Sequence, residues 1–310
     1  MIIAFSGGVG GAKLADGLAA VLAPELLTVV VNVGDDFEHL GLRICPDLDT
    51  VMYTLAGLAN PSTGWGLAGD TASFMAALER IGGETWFHLG DRDMATHVER
   101  TRLLAGMSLS EVTETFCRRL GVRHAVVPVS DDRVRTTVRT DEGLLSFQDY
   151  FVRRRCAPRV LGLTLEGADS ARASERFLHA MNHPQLKAIV FCPSNPHLSI
   201  APMLAIPQVR ACLQARRVPL VAVSPIIDGN AVKGPAAKIQ KELGFPVSAL
   251  GVADLYKDLI DGFVLDVCDA ELAPIAPMPT LVAQTLMRNP SDRRNLAEAV
   301  LEFASRLRKP

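Results

Sequence analysis

Ile2-Ile3-Ala4-Phe5-Ser6-Gly7-Gly8-Val9-Gly10-Gly11-Ala12-Lys13 opens the chain and decides its fold class. The short apolar run Ile2 to Phe5 ends in a cluster of four glycines, and Ala12 to Leu22 continues with helical spacing. A strand, a tight glycine turn and a helix in that order begin a βαβ unit. Glycines here can serve two ends. They supply the positive φ of a βα turn, or they let backbone N–H groups approach phosphate oxygens at a positive helix end. Four glycines exceed what a turn requires, so Gly8, Gly10 and Gly11, with Lys13 beside them, are expected to touch a nucleotide phosphate. Lys13 replaces the third glycine of G-x-G-x-x-G, and the absence of G-K-[ST] excludes a Walker A loop.

Further along, Thr28 to Val33 is a β-branched run suited to a strand buried on both faces. Ala188 to Phe191, Pro219 to Val223 and Phe263 to Val267 are similar, and helix-like stretches at Gln208 to Arg217 and Val252 to Ile260 lie among them. The alternation predicts an α/β fold, a Rossmann-like, mostly parallel sheet with helices on both faces, in a single domain over residues 1–310. One segment breaks the rhythm. Ala125 to Ser130 contains Pro128 and reads as an edge strand. Arg133 to Arg139 alternates with period two, Asp141-Glu142-Gly143 reads as a turn, and Leu144 to Phe151 as the returning strand. Residues from about 93 to 158 are therefore expected to form a smaller inserted helix-plus-hairpin lobe. A final helix is expected from Ser291, as N-cap, to about Leu307.

Composition narrows the function classes. With 310 residues, 48% hydrophobic and 21% charged, the chain is of ordinary globular type and long enough to bury a core unaided. Lys plus Arg number 32 against 34 Asp plus Glu, which argues against a nucleic-acid binder, and 5% aromatics make a base-stacking platform unexpected. Six irregularly spaced cysteines contain no C-x-x-C pair, so neither a zinc ribbon nor a redox pair is indicated. No basic n-region precedes the first apolar run and no run reaches bilayer length, so a cytoplasmic protein without membrane contact is expected.

Several loops concentrate chemistry after strands, where ligands of open parallel sheets bind. Asn32-Val33-Gly34-Asp35-Asp36 follows the second strand; its acids suit either a ribose hydroxyl or a solvated turn. In Cys45-Pro46-Asp47-Leu48-Asp49-Thr50, two carboxylates at i and i+2 can hold Mg²⁺ against a diphosphate, or Asp47 can cap the helix that follows. Gly64-Trp65-Gly66-Leu67-Ala68-Gly69-Asp70 adds a carboxylate, and Trp65 there can cover a flat ring or simply pack. Leu89-Gly90-Asp91-Arg92-Asp93-Met94-Ala95-Thr96-His97 gathers titratable groups at a helix start, with His97 and Arg100 on one face. An arginine among carboxylates suits phosphate clamping; a solvated helix start is the plain alternative. Ser194, Asn195 and Ser224 end two later strands and can hydrogen-bond a base or phosphate.

Taken together, these segments resemble the coenzyme F420 biosynthesis transferase family, which includes 2-phospho-L-lactate transferase and a phosphoenolpyruvate transferase. The resemblance spans nearly the whole chain and rests on SGGVGGAKL from Ser6, CPDLDTVMYTLAG from Cys45, LGDRDMATH from Leu89, PSNPHLSI from Pro193 and SPIIDGNAVKGPA from Ser224. Asp228 stands where the family pattern leads one to expect glycine.

The resemblance implies a Mg²⁺-dependent transfer. A guanosine-diphospho-activated three-carbon acid, of the 2-phospholactate, phosphoenolpyruvate or 3-phosphoglycerate type, gives its phospho-acid group to the ribityl hydroxyl of the deazaflavin Fo, releasing GMP. It further implies catalytic roles for Asp49 and Arg92, metal contacts from Asp49 and Asp70, and an Fo side formed by Asp49, Trp65, Asp91, Arg92 and His97. The guanine-nucleotide side would comprise Gly8, Gly10, Gly11, Lys13, Ser194, Asn195 and Ser224. A guanylyltransferase would be the functional partner, and a homodimer is the default assembly. Two alternatives are a nucleotide-sugar-binding regulatory protein of the same superfamily and an NAD-dependent dehydrogenase using the glycine loop and Asp35.

Charge is unevenly spread along the chain. Asp35 to Asp49 holds five acids and one arginine, whereas Arg133 to Arg159 holds seven arginines and three acids. The acidic stretch is expected to serve the metal. The basic stretch, with Arg133, Arg135 and Arg139 on one strand face, is expected either to attract the phosphorylated donor or to be a solvated edge.

Overall fold

A computed structural model describes residues 1–232 and 234–307; Lys233, part of the fifth motif, lies outside the described residues. The strands are β1 (Ile2–Ser6), β2 (Leu27–Val31), β3 (Phe37–His39), β4 (Leu42–Ile44), β5 (Ala125–Pro128), β6 (Arg135–Thr140), β7 (Gly143–Ser146), β8 (Val160–Glu166), β9 (Ala188–Phe191), β10 (Leu220–Val223), β11 (Ile226–Ile227), β12 (Asn230–Ala231), β13 (Gly262–Asp266) and β14 (Thr280–Ala283). The helices are α1 (Gly8–Val21), α2 (Pro46–Leu55), α3 (Ser73–Arg80), α4 (Asp91–Leu103), α5 (Leu109–Arg119), α6 (Glu175–Met181), α7 (Ala201–Leu204), α8 (Pro207–Gln214), α9 (Ala236–Glu242), α10 (Ala249–Tyr256) and α11 (Pro290–Arg306).

Seven strands form one parallel sheet in the order β14-β13-β10-β9-β1-β2-β5. Every residue of β1, β2, β9, β10 and β13 is buried, because helices cover both faces. Across this core Phe5 meets Phe177 and Phe191 edge-on at 5.9 and 5.2 Å, and Phe191 meets Tyr256 at 5.4 Å. Each such pair adds about 0.5–1.5 kcal/mol beyond its buried area. From β1 the chain builds outward one way through β2 and β5, and the other way through β9, β10, β13 and β14. The order reverses between β1 and β9, so the loops after these two strands flank the crevice where such sheets bind ligands.

β5 sits at the sheet edge, as Pro128 requires, since its missing N–H faces no further strand. The expected sub-lobe over 93–158 is accordingly divided. Ala125–Pro128 belongs to the main sheet, and the antiparallel sheet β7-β6-β8 reaches past residue 158 to Glu166. The returning strand stops at Ser146, and Asp149–Arg153 coils into a π-helical turn that buries Tyr150. Other differences are local. α1 starts at Gly8, four residues before the apolar spacing becomes regular, and the N-cap of α11 is Asn289, whose Oδ1 accepts the Asp292 N–H at 3.0 Å. All six cysteines are free thiols, and among the described residues no helix is long and apolar enough to cross a membrane.

Candidate active site

A cavity of about 730 Å³ opens at the carboxyl ends of the parallel strands. Its floor is the glycine loop. Gly7 donates its N–H to Ser194 Oγ at 3.0 Å, and Gly8, with φ of +63°, donates to Asp47 Oδ1 at 2.6 Å. Asp47 thus caps α1 rather than its own helix, because the N-cap Gly7 has no side chain to do so. Its other oxygen accepts from Asn32 Nδ2 at 3.0 Å.

The remaining glycines are set by close packing. A Cβ on Gly10 would run into the Pro193 carbonyl, and one on Gly11 into the Ser194 and Ser6 hydroxyls. Gly11 lies beneath the cavity and does not line it, whereas Gly8, Val9, Gly10 and Lys13 do. Lys13 Nζ reaches the Met287 carbonyl at 2.7 Å. That bond ties the loop to the segment Thr285–Met287, which also lines the cavity and is held by Asp266 through the Thr285 N–H and hydroxyl.

Of the other residues assigned to the nucleotide side, Ser194, Asn195 and Ser224 all line the cavity. Asn195 Oδ1 accepts the His197 and Leu198 N–H groups and so starts the next helical turn, and the Ser224 hydroxyl closes a local turn onto Ile226. Just past that turn, Asp228 takes φ of +48°, a left-handed conformation that glycine adopts at lower cost.

α2 carries Asp47 toward the glycine loop and, two residues on, Asp49 toward α4. Asp49 meets Arg100, with Nη1 3.0 Å from Oδ2 and Nη2 on Oδ1. Arg100 is 1% exposed. Burial opposes its charge, but Asp49 beside it outweighs this and keeps it protonated. Burial likewise pushes Asp49 up, and Arg100 and His97 pull it back.

One turn apart on α4, Asp93 and His97 complete the group: Asp49, Asp93 and His97 each bring a ligand atom within 4.8 Å of the others. Tyr53 donates to Asp93 Oδ1 at 2.6 Å, and burial, Asp49 and Asp93 push its phenol far above its ordinary range, so it stays a donor. Burial works against the Asp93 charge, yet His97 and Tyr53 prevail and hold it below the usual value. Next to Asp47, burial drives Asp35 well above the carboxylate range, with Asp47 and Asp36 adding to it, and burial pushes Asp47 itself up to about 6. Asp36 turns away from the cavity to pair with Arg43 at 3.1 Å.

Aromatic side chains also line the cavity: Trp65, Trp86, Phe87, Phe147 and Phe151, with Phe147 stacked on Phe151 at 5.4 Å and Arg153 over the Trp86 ring at 4.5 Å. Trp65 is 49% exposed at the rim.

Three expected site residues have other work. Asp70 accepts the N–H groups of Arg92 and Asp93 at the start of α4 and stands outside the Asp49 group. Asp91 accepts from Thr71, Ser73 and Phe74, and these bonds hold its carboxyl down at about 2. Arg92 is exposed, with Nη1 3.4 Å from the Ala68 carbonyl, and does not line the cavity. The basic stretch is divided: Arg133 pairs with Glu38 beside a second, smaller hollow and Arg154 with Glu142, while Arg153 lies over the cavity-lining Trp86. Missed in the sequence were Tyr53, Asp93 and Arg100 as partners of Asp49. The signal was present, because Tyr53 follows Asp49, and His97 follows Asp93, by four residues on a helix.

The family model for 2-phospho-L-lactate transferase CofD matches residues 2–280. The chain belongs to that family. It is accordingly an enzyme, a phospho-acid transferase. A phosphoenolpyruvate transferase from Kitasatospora aureofaciens is 40% identical, with 99% of this chain and 98% of the relative aligned. A 2-phospho-L-lactate transferase from Methanosarcina mazei is 38% identical over 97% of this chain and 99% of its own length. Among solved structures, a upf0052-family protein from Bacillus halodurans superposes with a TM-score of 0.62 at 14% identity, over 97% of this chain and 98% of that one. That likeness bears on the fold. Membership of this family sets aside the dehydrogenase alternative. Asp35, on which that alternative relied, lies against the Asp47 side of the glycine loop as one of two neighbouring carboxylates.

Proposed function

We propose that this cavity moves the phospho-acid group of a guanosine-diphospho-activated three-carbon acid onto the ribityl hydroxyl of the deazaflavin Fo, with release of GMP, in coenzyme F420 biosynthesis. What supports this reading is that Asp49 lines the same cavity as two unlike sets of groups. One is the glycine loop with the first turn of α1 and Lys13, which suits the anionic donor. The other is the aromatic set of Trp65, Trp86 and Phe151, which suits a flat ring.

Transfer at phosphorus asks the protein mainly for in-line positioning and charge neutralisation. The hydroxyl oxygen bonds to the phosphorus of the phospho-acid, the bond to the GMP phosphate breaks, and the hydroxyl proton is given up as GMP leaves. Lys13 and the Val9–Gly10 backbone hold the donor phosphates, Ser194, Asn195 and Ser224 face the nucleoside, and Trp65 and Trp86 bracket the deazaflavin. Arg100 keeps Asp49 ionised and aimed, and Tyr53 does the same for Asp93. The hard carboxylate oxygens of Asp49 and Asp93, close together on two helices, fit a Mg²⁺-type cation. When bound, such an ion offsets charge on the transferring phosphoryl group.

A guanylyltransferase would supply the donor. The test is to incubate the protein with Fo, Mg²⁺, GTP, a guanylyltransferase and each three-carbon phospho-acid in turn, and to weigh the deazaflavin product. One acid should be attached preferentially. Unmodified Fo with every donor contradicts the reading.

A further inference from the structure

Lys238, on α9, joins two parts of the cavity lining without lining the cavity itself. Its Nζ donates to the Tyr150 hydroxyl at 3.3 Å, the Pro158 carbonyl at 2.9 Å and Glu242 Oε2 at 2.7 Å. At the start of its helix, Pro235 and Ala236 face the cavity. Tyr150 lies in the π-turn Asp149–Arg153, within the segment that brings Phe147, Gln148, Phe151 and Val152 to the same cavity. The pair with Glu242 is partly exposed and within one helix, so it orients Nζ more than it stabilises. Glu242 Oε2 also accepts the Val160 N–H at 2.9 Å, which brings the start of β8 into the group.

The π-turn is backed by a small second core, apart from that of the main sheet, in which Phe147 and Tyr150 pack with Val138, Val160, Leu198 and Ile239. Its exit is strained. Arg155 and Cys156, at φ of +50° and +56°, are the one adjacent pair of non-glycine residues in the left-handed region among the described residues. Such backbone persists only where its surroundings over-determine it. The Tyr150 hydroxyl hydrogen-bonds to the Cys156 thiol, and the Tyr150 carbonyl accepts the Cys156 N–H at 2.9 Å. Lys238 therefore holds the strained exit from both sides, through Tyr150 before it and Pro158 after it. α9 has anchors of its own: Ile239 is buried, and the buried Gln240 donates to the Pro246 carbonyl at 2.6 Å. Loss of the Lys238 bonds would thus free the π-turn and leave the helix in place.

We propose that Lys238 is a positioning residue for the acceptor: its bonds to Tyr150 and Pro158 fix the π-turn, so that Phe151, stacked on Phe147, presents a set face to the flat ring. The tie follows from the contacts above; its consequence for Fo rests on the transfer proposed for this cavity.

Lys238→Met removes the donors and keeps most of the stem. Its KM for Fo should rise about two- to tenfold, the worth of one hydrogen bond, while its KM for the guanosine-diphospho donor moves by less than about twofold. Tyr150→Phe deletes only the hydroxyl and should raise the KM for Fo in the same way. The double variant should be no worse than Lys238→Met, because both changes break one tie. Equal rises in the two KM values, or effects that add in the double variant, overturn the proposal. Hydrogen–deuterium exchange read by mass spectrometry tests the tie without turnover. Amides from 147 to 157 should exchange about tenfold faster in Lys238→Met, while those of β1, β2 and β9 keep their wild-type rates. An unchanged 147–157 segment also overturns the proposal. Should Lys238→Met not fold, Tyr150→Phe supplies both readouts. If the wild type transfers nothing to Fo, the acceptor role falls with that function, and the exchange rates alone decide the tie.

Discussion

Arg100 on α4 and Asp49 on α2 face each other as a buried ion pair, with both terminal guanidinium nitrogens on the two carboxylate oxygens. Removing one partner of a buried pair strands the other charge and typically costs about 3–5 kcal/mol. The amide of Asp49→Asn still offers one oxygen to Arg100, so a loss near 3 kcal/mol is expected with the fold retained. Transfer should fall much further, by about 10²–10³ in kcat, the size expected when a group that stabilises charge in the transition state is lost. Denaturant midpoints and steady-state turnover of the same preparation check both numbers. Near-normal turnover would remove Asp49 from the chemistry.

Gly10 tests the loop by bulk rather than by charge. In Gly10→Ala the new methyl meets the Pro193 carbonyl, which is backbone and cannot step aside cheaply. Overpacking of this kind costs about 1–3 kcal/mol. Because the same contact aligns the two loops at the β1–β9 crevice, the apparent KM for the guanosine-diphospho donor should rise while that for Fo changes little. Thermal melting and separate KM measurements for the two substrates check this.

Buried Asp36 gives a pH signature. Burial raises its carboxyl from 3.8 to about 6, with Arg43 only partly offsetting the rise. A carboxyl raised in the folded state favours folding while it is protonated, and that advantage is lost as pH climbs from about 4 through about 6. Two pH units correspond to about 3 kcal/mol at most. Asp36→Asn lacks this group, so its melting temperature should gain on that of the wild type as pH rises from 4 to 7. Parallel melting curves for the two proteins across that range would contradict the shift.

Trp65 lies half exposed at the mouth of the cavity and Trp86 deeper in its wall, and they are the only tryptophans of the chain. An aromatic pair contributes about 0.5–1.5 kcal/mol beyond area burial. Trp65→Ala should therefore raise the KM for Fo by roughly two- to tenfold, with kcat nearly unchanged. The Trp86→Phe protein leaves Trp65 as sole emitter, and its fluorescence should be quenched by Fo but not by GMP.

Where apolar pattern alone governs, the fold was legible. β1, β2, β9, β10 and β13 fall on β-branched or apolar runs, and Pro128 marked the sheet edge through its missing donor. Pattern could not show that the strand ends at Ser146 and that Asp149–Arg153 coils into a π-turn, which buries Tyr150.

At the site, Asp49, Trp65, His97, the glycine loop, Ser194 and Ser224 line one cavity, and of these only the glycine loop and the two serines follow strands of the main sheet, where pattern can point to them. Asp70, Asp91 and Arg92 do not line that cavity. Asp70 caps the start of α4 from a loop far upstream, and Asp91, the first residue of α4, caps the start of α3, so only the fold shows where their oxygens go. The basic stretch around β6 could be read as a donor-attracting face or as a solvated edge, and the acids that pair with two of its arginines, Glu38 with Arg133 and Glu142 with Arg154, become visible only in the fold.

The most direct measurement is the mass of the deazaflavin after Fo, a guanosine-diphospho-activated phospho-acid and Mg²⁺ are incubated with the wild-type protein and, separately, with Asp49→Asn. Wild type should convert Fo to a product heavier by one phospho-acid group, with one GMP released per product, and Asp49→Asn should leave Fo essentially unchanged. Unmodified Fo with the wild type, or equal product from the two proteins, would contradict transfer at this site.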